Sequence, residues 1–192
     1  PARDGQRPRR NEIVVPAGEA DGKVWKWMAL ADGVLYALVG GAEQPTVTVR
    51  SDSPELGHWP WGMWPGYAYN NPKTNTGFGR TLIAFDPADG KKLWAHREQE
   101  YLDGRAVCMR GGRIYYYSPQ KFLACLDART GKRLWKNDSA DLLEALGPEG
   151  PAQKWITGFS TTNYLKCDER HVYFAGPVRP HLVVASARDG RP

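Results

Sequence analysis

No stretch of this 192-residue sequence holds the roughly 20 consecutive apolar residues that a membrane-spanning helix needs, so no membrane span is expected. Cysteine is scarce, at 3 residues, and no two are adjacent or spaced Cys-x-x-Cys, which argues against a zinc ribbon and covalently attached haem. His58, His96, His171 and His181 are scattered without metal-ligand spacing and read as surface or turn residues. A Gly-x-Ser-x-Gly elbow is missing, which argues against a hydrolase triad, and no glycine-rich nucleotide loop follows a strand. The chain opens at Pro1 without a charged-then-apolar leader, so no targeting signal is read from it. Positive charge clusters at Arg3, Arg7, Arg9 and Arg10, but Asp4 and Glu12 dilute it within a net charge of only +5. A solvated terminus accounts for that cluster, and no nucleic-acid partner is expected.

What is present points to β structure. There are 21 glycines, 15 prolines and 8 tryptophans in a chain that is 41% hydrophobic and 11% aromatic, the profile of a turn-rich, all-β protein. The length is that of one ordinary domain with room for a sizeable core.

A repeat runs through the sequence. Leu82-Ile83-Ala84-Phe85-Asp86-Pro87-Ala88-Asp89-Gly90-Lys91-Lys92-Leu93-Trp94 aligns with Leu123-Ala124-Cys125-Leu126-Asp127-Ala128-Arg129-Thr130-Gly131-Lys132-Arg133-Leu134-Trp135, 41 residues later. A third copy, from Leu182 to Gly190, stops short of its Trp and carries Ser186 in place of Asp, and Gly5 marks the tail of a fourth. Each copy reads as strand, tight turn, strand: Asp86 and Asp127 can bond their own backbone two residues on, while Gly90 and Gly131 can take positive φ. A second hairpin precedes each one, around Asp32-Gly33, Gly111-Gly112 and Asp168 to Arg170. Two hairpins per unit make a four-stranded antiparallel sheet, the size of a propeller blade.

Two segments break the period. One is Pro- and Gly-rich, lies between Gly41 and Gly79, and carries Trp59, Trp61, Trp64, Tyr67, Tyr69 and Phe78. The other, from Asn137 to Lys154, contains Ser139 as an N-cap, apolar residues at helical spacing and a Gly147-Pro148 stop, which predicts one short helix. The expected organisation is therefore the tail of a preceding blade at 1–10, a blade over 22–96 with an insertion at 41–79, a blade over 104–136, an insertion at 137–154 and an incomplete blade over 155–192. Such a set of about three blades is expected to be an open fragment of a larger propeller. Leu35, Leu82, Ile114 and Leu126 are expected on outer faces left unpaired.

Ala84-x-Asp86-x-x-x-Gly90-x-x-x-Trp94 resembles the tryptophan-docking repeat of pyrroloquinoline-quinone (PQQ)-type propellers, and Cys125-x-Asp127-x-x-x-Gly131-x-x-x-Trp135 matches it with Cys for Ala. The resemblance implies a propeller of about eight blades in which the Trp of one blade packs on the Ala-to-Gly region of its neighbour. It assigns a structural docking role to Ala84, Asp86, Gly90, Trp94, Asp127, Gly131, Trp135 and Gly190. Members of that family include quinone-dependent dehydrogenases and non-catalytic proteins such as the lipoprotein of the outer-membrane barrel-assembly machinery. The resemblance also implies a periplasmic or extracellular setting. The stretches from Gly22 to Gly40 and from Gly104 to Trp135 are similar, more loosely, to bacterial propellers appended to an S-adenosylmethionine-dependent methyltransferase.

In the dehydrogenases the resemblance implies a calcium-bound quinone held in the central channel by acidic and amide side chains, and in many a disulfide between adjacent cysteines. This chain has no adjacent cysteines, and no Glu, Asn and Asp set can be assigned as calcium ligands from spacing. No catalytic residue, metal ligand or cofactor is assigned to this segment; PQQ and calcium belong only to the dehydrogenase alternative. The leading expectation is a non-catalytic interaction scaffold whose partners are the remaining blades and a further protein. Trp59, Trp61, Trp64, Tyr67 and Tyr69 offer flat apolar faces for a ligand or partner at the rim, or else fold back as a satellite core. Cys108, Cys125 and Cys167 read as small buried hydrophobes, with a Cys108 to Cys125 bridge open in an oxidising compartment.

Overall fold

A computed structural model of the chain describes residues 24–40, 78–147, 163–175 and 181–192. Eleven strands and one helix fall within them: β1 (Val24–Ala31), β2 (Val34–Gly40), β3 (Phe78–Phe85), β4 (Lys92–Asp103), β5 (Val107–Arg110), β6 (Arg113–Ser118), β7 (Phe122–Asp127), β8 (Arg133–Asn137), α1 (Ala140–Leu146), β9 (Tyr164–Cys167), β10 (His171–Ala175) and β11 (Val183–Ser186). The strands form two antiparallel four-stranded sheets, β1-β2-β3-β4 and β5-β6-β7-β8, and a three-stranded sheet, β9-β10-β11. The sheets stack in sequence order as a series of blades. Among the described residues, no helix is long and apolar enough to cross a membrane.

Local chemistry explains the hairpins. Asp32 and Gly33 have φ of 50° and 75°, and Gly111 and Gly112 have φ of 56° and 70°. Paired positive φ values of this kind give the turn whose twist matches that of the flanking strands. In the third blade the job passes to a side chain: Asp168 Oδ1 accepts from the Arg170 and His171 amides, both at 2.7 Å. Helix α1 has the expected cap, Ser139 Oγ accepting from Leu142 N at 3.4 Å, and it ends at Gly147 with φ 70°. Its Leu142 and Leu146 are buried between the second and third blades.

Period-two alternation divides each sheet between two interfaces. Tyr36, Leu38, Leu82 and Ala84 of the first sheet pack against Ile114, Tyr116, Ala124 and Leu126 of the second. The opposite face of the second sheet, with Tyr115, Tyr117, Leu123 and Cys125, packs against Leu165, Val172, Phe174 and Ala185 of the third. Tyr117 and Phe174 meet edge to face, with ring centroids 4.7 Å apart.

These faces correct one expectation. Leu82, Ile114 and Leu126 are not on unpaired outer faces but wholly buried between the first and second blades, because the repeat places them on the strand faces that neighbouring sheets share. Leu35 alone packs with the other face of the first sheet, against Ala37, Val39, Ile83 and Phe85. Phe78 is likewise the first residue of β3 and fully buried, not part of an inserted aromatic cluster. The segment at 1–10 with its arginines, and Trp59, Trp61, Trp64, Tyr67 and Tyr69, lie outside the described residues.

Candidate functional site: the seams between blades

The motif residues build the seams. Each repeat turn closes identically: the Gly90 amide donates to Asp86 O, Gly131 to Asp127 O and Gly190 to Ser186 O, all at 2.8 Å. Asp86 Oδ1 accepts from Ala88 N, and Asp127 Oδ1 from both the amide and the hydroxyl of Thr130, each at 2.8 Å. Ser186 takes over in the third copy, its hydroxyl accepting from Arg188 N at 3.2 Å. A serine oxygen can do locally what the carboxylate does, so the turn survives the exchange.

Upon the second and third of these turns sits a tryptophan from the preceding blade. Trp94 lies over Gly131, and its Nε1 donates to Ala128 O at 2.8 Å. Trp135 lies over Gly190, and its Nε1 donates to Ala187 O at 3.1 Å. Both rings are also held from behind by a tyrosine of their own sheet, Tyr36 for Trp94 and Tyr115 for Trp135, each with centroids 6.1 Å apart. Ala84 is wholly buried opposite Trp94 on β4, and Cys125 takes the same place opposite Trp135 on β8.

A charged network lines the first seam. Glu98 of β4 accepts from Tyr116 Oη of β6 at 2.7 Å and from Arg133 Nη1 of β8 at 3.1 Å, and its Oε1 lies 2.9 Å from His96 Nε2. Burial alone would raise the Glu98 carboxyl pKa, but hydrogen bonds from His96 and Tyr116, with the charge of His96 and Arg133, hold it at about 2. Tyr116 moves the other way, its hydroxyl pushed far up by burial and by its bond to Glu98. His96 thus belongs to the seam rather than to the surface, because it shares a strand face with Trp94 and Glu98.

A depressed folded-state value stabilises the protein above the unfolded-state pKa and is lost on acidification. The Glu98 contribution should therefore disappear as pH falls from about 4.5 towards 2. Urea titrations at a series of pH values should show Glu98→Gln less stable than the parent by roughly 2 kcal/mol at pH 7, with the gap closing in acid. A gap that does not depend on pH would assign the loss to packing instead.

At one end of the seams lies a second polar cluster. Asp103, at the end of β4, and Asn163, just before β9, are both fully buried although they flank different blades. Asn163 Nδ2 donates to Asp103 Oδ2 at 2.8 Å, while Arg105 reaches Oδ1 with Nε at 2.7 Å and Oδ2 with Nη2 at 2.9 Å. The Arg105 amide adds a bond to Oδ1 at 3.0 Å. This acid and amide pair is the described group nearest in chemistry to the calcium and quinone ligands that the resemblance implies. It does not fit that role: both carboxylate oxygens already accept from a bidentate guanidinium, whose positive charge opposes a divalent cation. Among the described residues, no group of three or more His, Cys, Asp or Glu side chains could hold a metal ion.

The cysteines fall in the second seam, and all three are free thiols. Cross-strand pairing places Cys108 and Cys125 on either side of Tyr115. Two strand spacings, roughly 9.6 Å, separate their backbones, beyond the reach of a disulfide. The bridge within one blade is excluded on that ground. His171 and His181 are at least partly exposed, as expected for surface residues, and His58 lies outside the described residues.

Glu98, Asp103, Arg105 and Asn163 escaped the sequence reading. A signal existed for Glu98, which lies four residues beyond Trp94 on the same face of β4. For Asp103 and Asn163, 60 residues apart, there was none.

The family model described as "Outer membrane protein assembly factor BamB" (PQQ_2) matches residues 79–191, more than half of the chain. Over 90 residues the chain is 31% identical to the quinoprotein alcohol dehydrogenase PedH of Pseudomonas putida, an alignment covering 40% of this chain and 15% of that protein. Over 144 residues it is 25% identical to the quinoprotein ethanol dehydrogenase of Pseudomonas aeruginosa, covering 70% of this chain and 22% of that one. The chain thus spans less than a quarter of the length of either relative. Among solved structures, a europium-containing methanol dehydrogenase aligns with a TM-score of 0.46 at 15% identity, over 90% of this chain and 25% of that one. BamB from Moraxella catarrhalis aligns with a TM-score of 0.38 at 16% identity, over 58% of this chain and 30% of that one. The extent of the family match, over blades already joined tryptophan to glycine, shows that the chain belongs to the PQQ-like propeller repeat proteins that this BamB model represents.

Proposed function

We propose that these blades form a non-catalytic module that acts as an interaction scaffold within a larger protein. The observation that carries this reading is the Asp103 cluster. The buried carboxylate and amide that could have served a cofactor are closed on Arg105, where they fasten the first blade to the third. Glu98 is engaged in the same way between the first and second blades. Titratable groups that serve packing leave the outer surfaces of the blades as the part available to a partner. A periplasmic setting goes with this reading, since the family description names an outer-membrane assembly factor.

A second reading, part of a quinone-dependent dehydrogenase propeller, draws on the identities to the Pseudomonas enzymes. The methyltransferase-linked resemblance has no support from the relatives named above. Addition of PQQ and calcium to the full-length protein separates the two main readings. The scaffold reading expects no calorimetric binding of the quinone and no dye reduction with primary alcohols or sugars. Turnover with either substrate class would overturn it.

A further inference from the structure

Cys108 and Cys167 lie on the first strands of consecutive sheets, near their hairpins, but one register position apart: Cys108 pairs with Tyr115 and Cys167 with Val172, so each presents its side chain to the seam that the two sheets share. Strands β5 and β9 run side by side across the second seam. Two residues beyond each cysteine, Arg110 Nη2 and Glu169 Oε1 lie 3.2 Å apart, which brings the hairpin ends of the two strands together. Both thiols turn into the seam, packing against its buried cluster, and each is the foremost influence on the acidity of the other. Two cysteines held thiol to thiol on separate blades make a site for a covalent link between those blades.

We infer that Cys108 and Cys167 form a redox-sensitive disulfide that joins the second blade to the third. The reaction is two successive thiol–disulfide exchanges with a small or protein disulfide as oxidant. Cys167 attacks first, bonding to one sulfur of the oxidant and releasing the other as a thiol. Cys108 then loses its proton to solvent and displaces the second thiol from the mixed disulfide. The protein gives up two electrons and two protons, which reduce the oxidant to two thiols. The order follows from the electrostatics. The neighbouring Cys108 thiol lowers the Cys167 pKa, with help from Arg110 and Lys166, while the neighbouring Cys167 and burial push Cys108 well up. Cys125 takes no part: burial raises its thiol to about 12, and its place on β7 sets it two strand spacings from Cys108. The link closes a long loop that includes α1, so it restricts the unfolded chain and stabilises the folded one.

The test uses the full chain, folded, with oxidised glutathione as the disulfide donor. Under denaturing conditions Ellman's reagent should then count one free thiol instead of the 3 of the reduced protein. Peptide mapping should find Cys108 linked to Cys167, and the melting temperature should rise by several degrees and fall back on reduction. Cys125→Ala should leave the link intact, and Cys167→Ser should abolish it together with the redox-dependent shift in melting. Three free thiols after oxidation of the folded protein, or a link through Cys125, would overturn the inference. The outcome is independent of whether the full-length protein binds a quinone.

Discussion

Gly131→Ala will lower the stability of the protein by about 3 kcal/mol, several times more than a strained turn alone explains. A Cβ at Gly131 would stand 2.6 Å from Cδ2 and Cε3 of Trp94, so the indole must leave its seat and give up its bond to Ala128 O. The residue also sits at φ +67°, where any L side chain is disfavoured. Gly33→Ala separates the two effects, because Gly33 has φ +75° but nothing within 4 Å of the added carbon. That variant should lose only about 1 kcal/mol. Trp94→Ala should cost about 3–5 kcal/mol, as removal of a large ring from a packed seam does. With the indole gone, Gly131→Ala should add little beyond its backbone strain, so the double variant should be clearly less unstable than the sum of the two. Chemical denaturation of the four proteins measures this. Equal losses at Gly131 and Gly33 would show that the tryptophan does not press on the turn.

Arg105→Met should cost about 3–4 kcal/mol, a scale set by the uncompensated charge left on Asp103. Asp103 is fully buried, and its carboxylate accepts from Arg105 and Asn163. Adding Asp103→Asn to Arg105→Met should recover a good part of the loss, since two amides can face one another without a buried charge. Asp103→Asn alone should be harmful, because it leaves the guanidinium without its carboxylate. Additive losses in the double variant would argue that the ion pair is incidental to the junction.

Much of the blade architecture was legible because it rests on short-range chemistry. Asp86, Asp127 and Ser186 close turns onto glycines only four residues away, so residue types and spacing suffice to find them. Ser139 and Gly147 bound α1 in the same local way. Even Ser186, which breaks the motif by type, keeps it by chemistry. The seams were far less legible. Leu82, Ile114 and Leu126 looked like residues awaiting a partner because a repeat, read alone, does not say which of its two faces the next sheet covers. The Cys108 to Cys125 pairing looked plausible because both belong to one blade, yet antiparallel pairing sets Tyr115 between them.

Asp103 and Asn163 show where sequence reading stops. Nothing near either residue marks it as buried, and their bond exists only because β4 of the first blade ends where β9 of the third begins. The amino-acid sequence by itself determined the strands, the turns and the repeat, since each of these follows from contacts within a few residues. Only the tertiary structure decided which faces became seams, which carboxylates they neutralise and which cysteine meets which, because those depend on how one sheet lies upon the next.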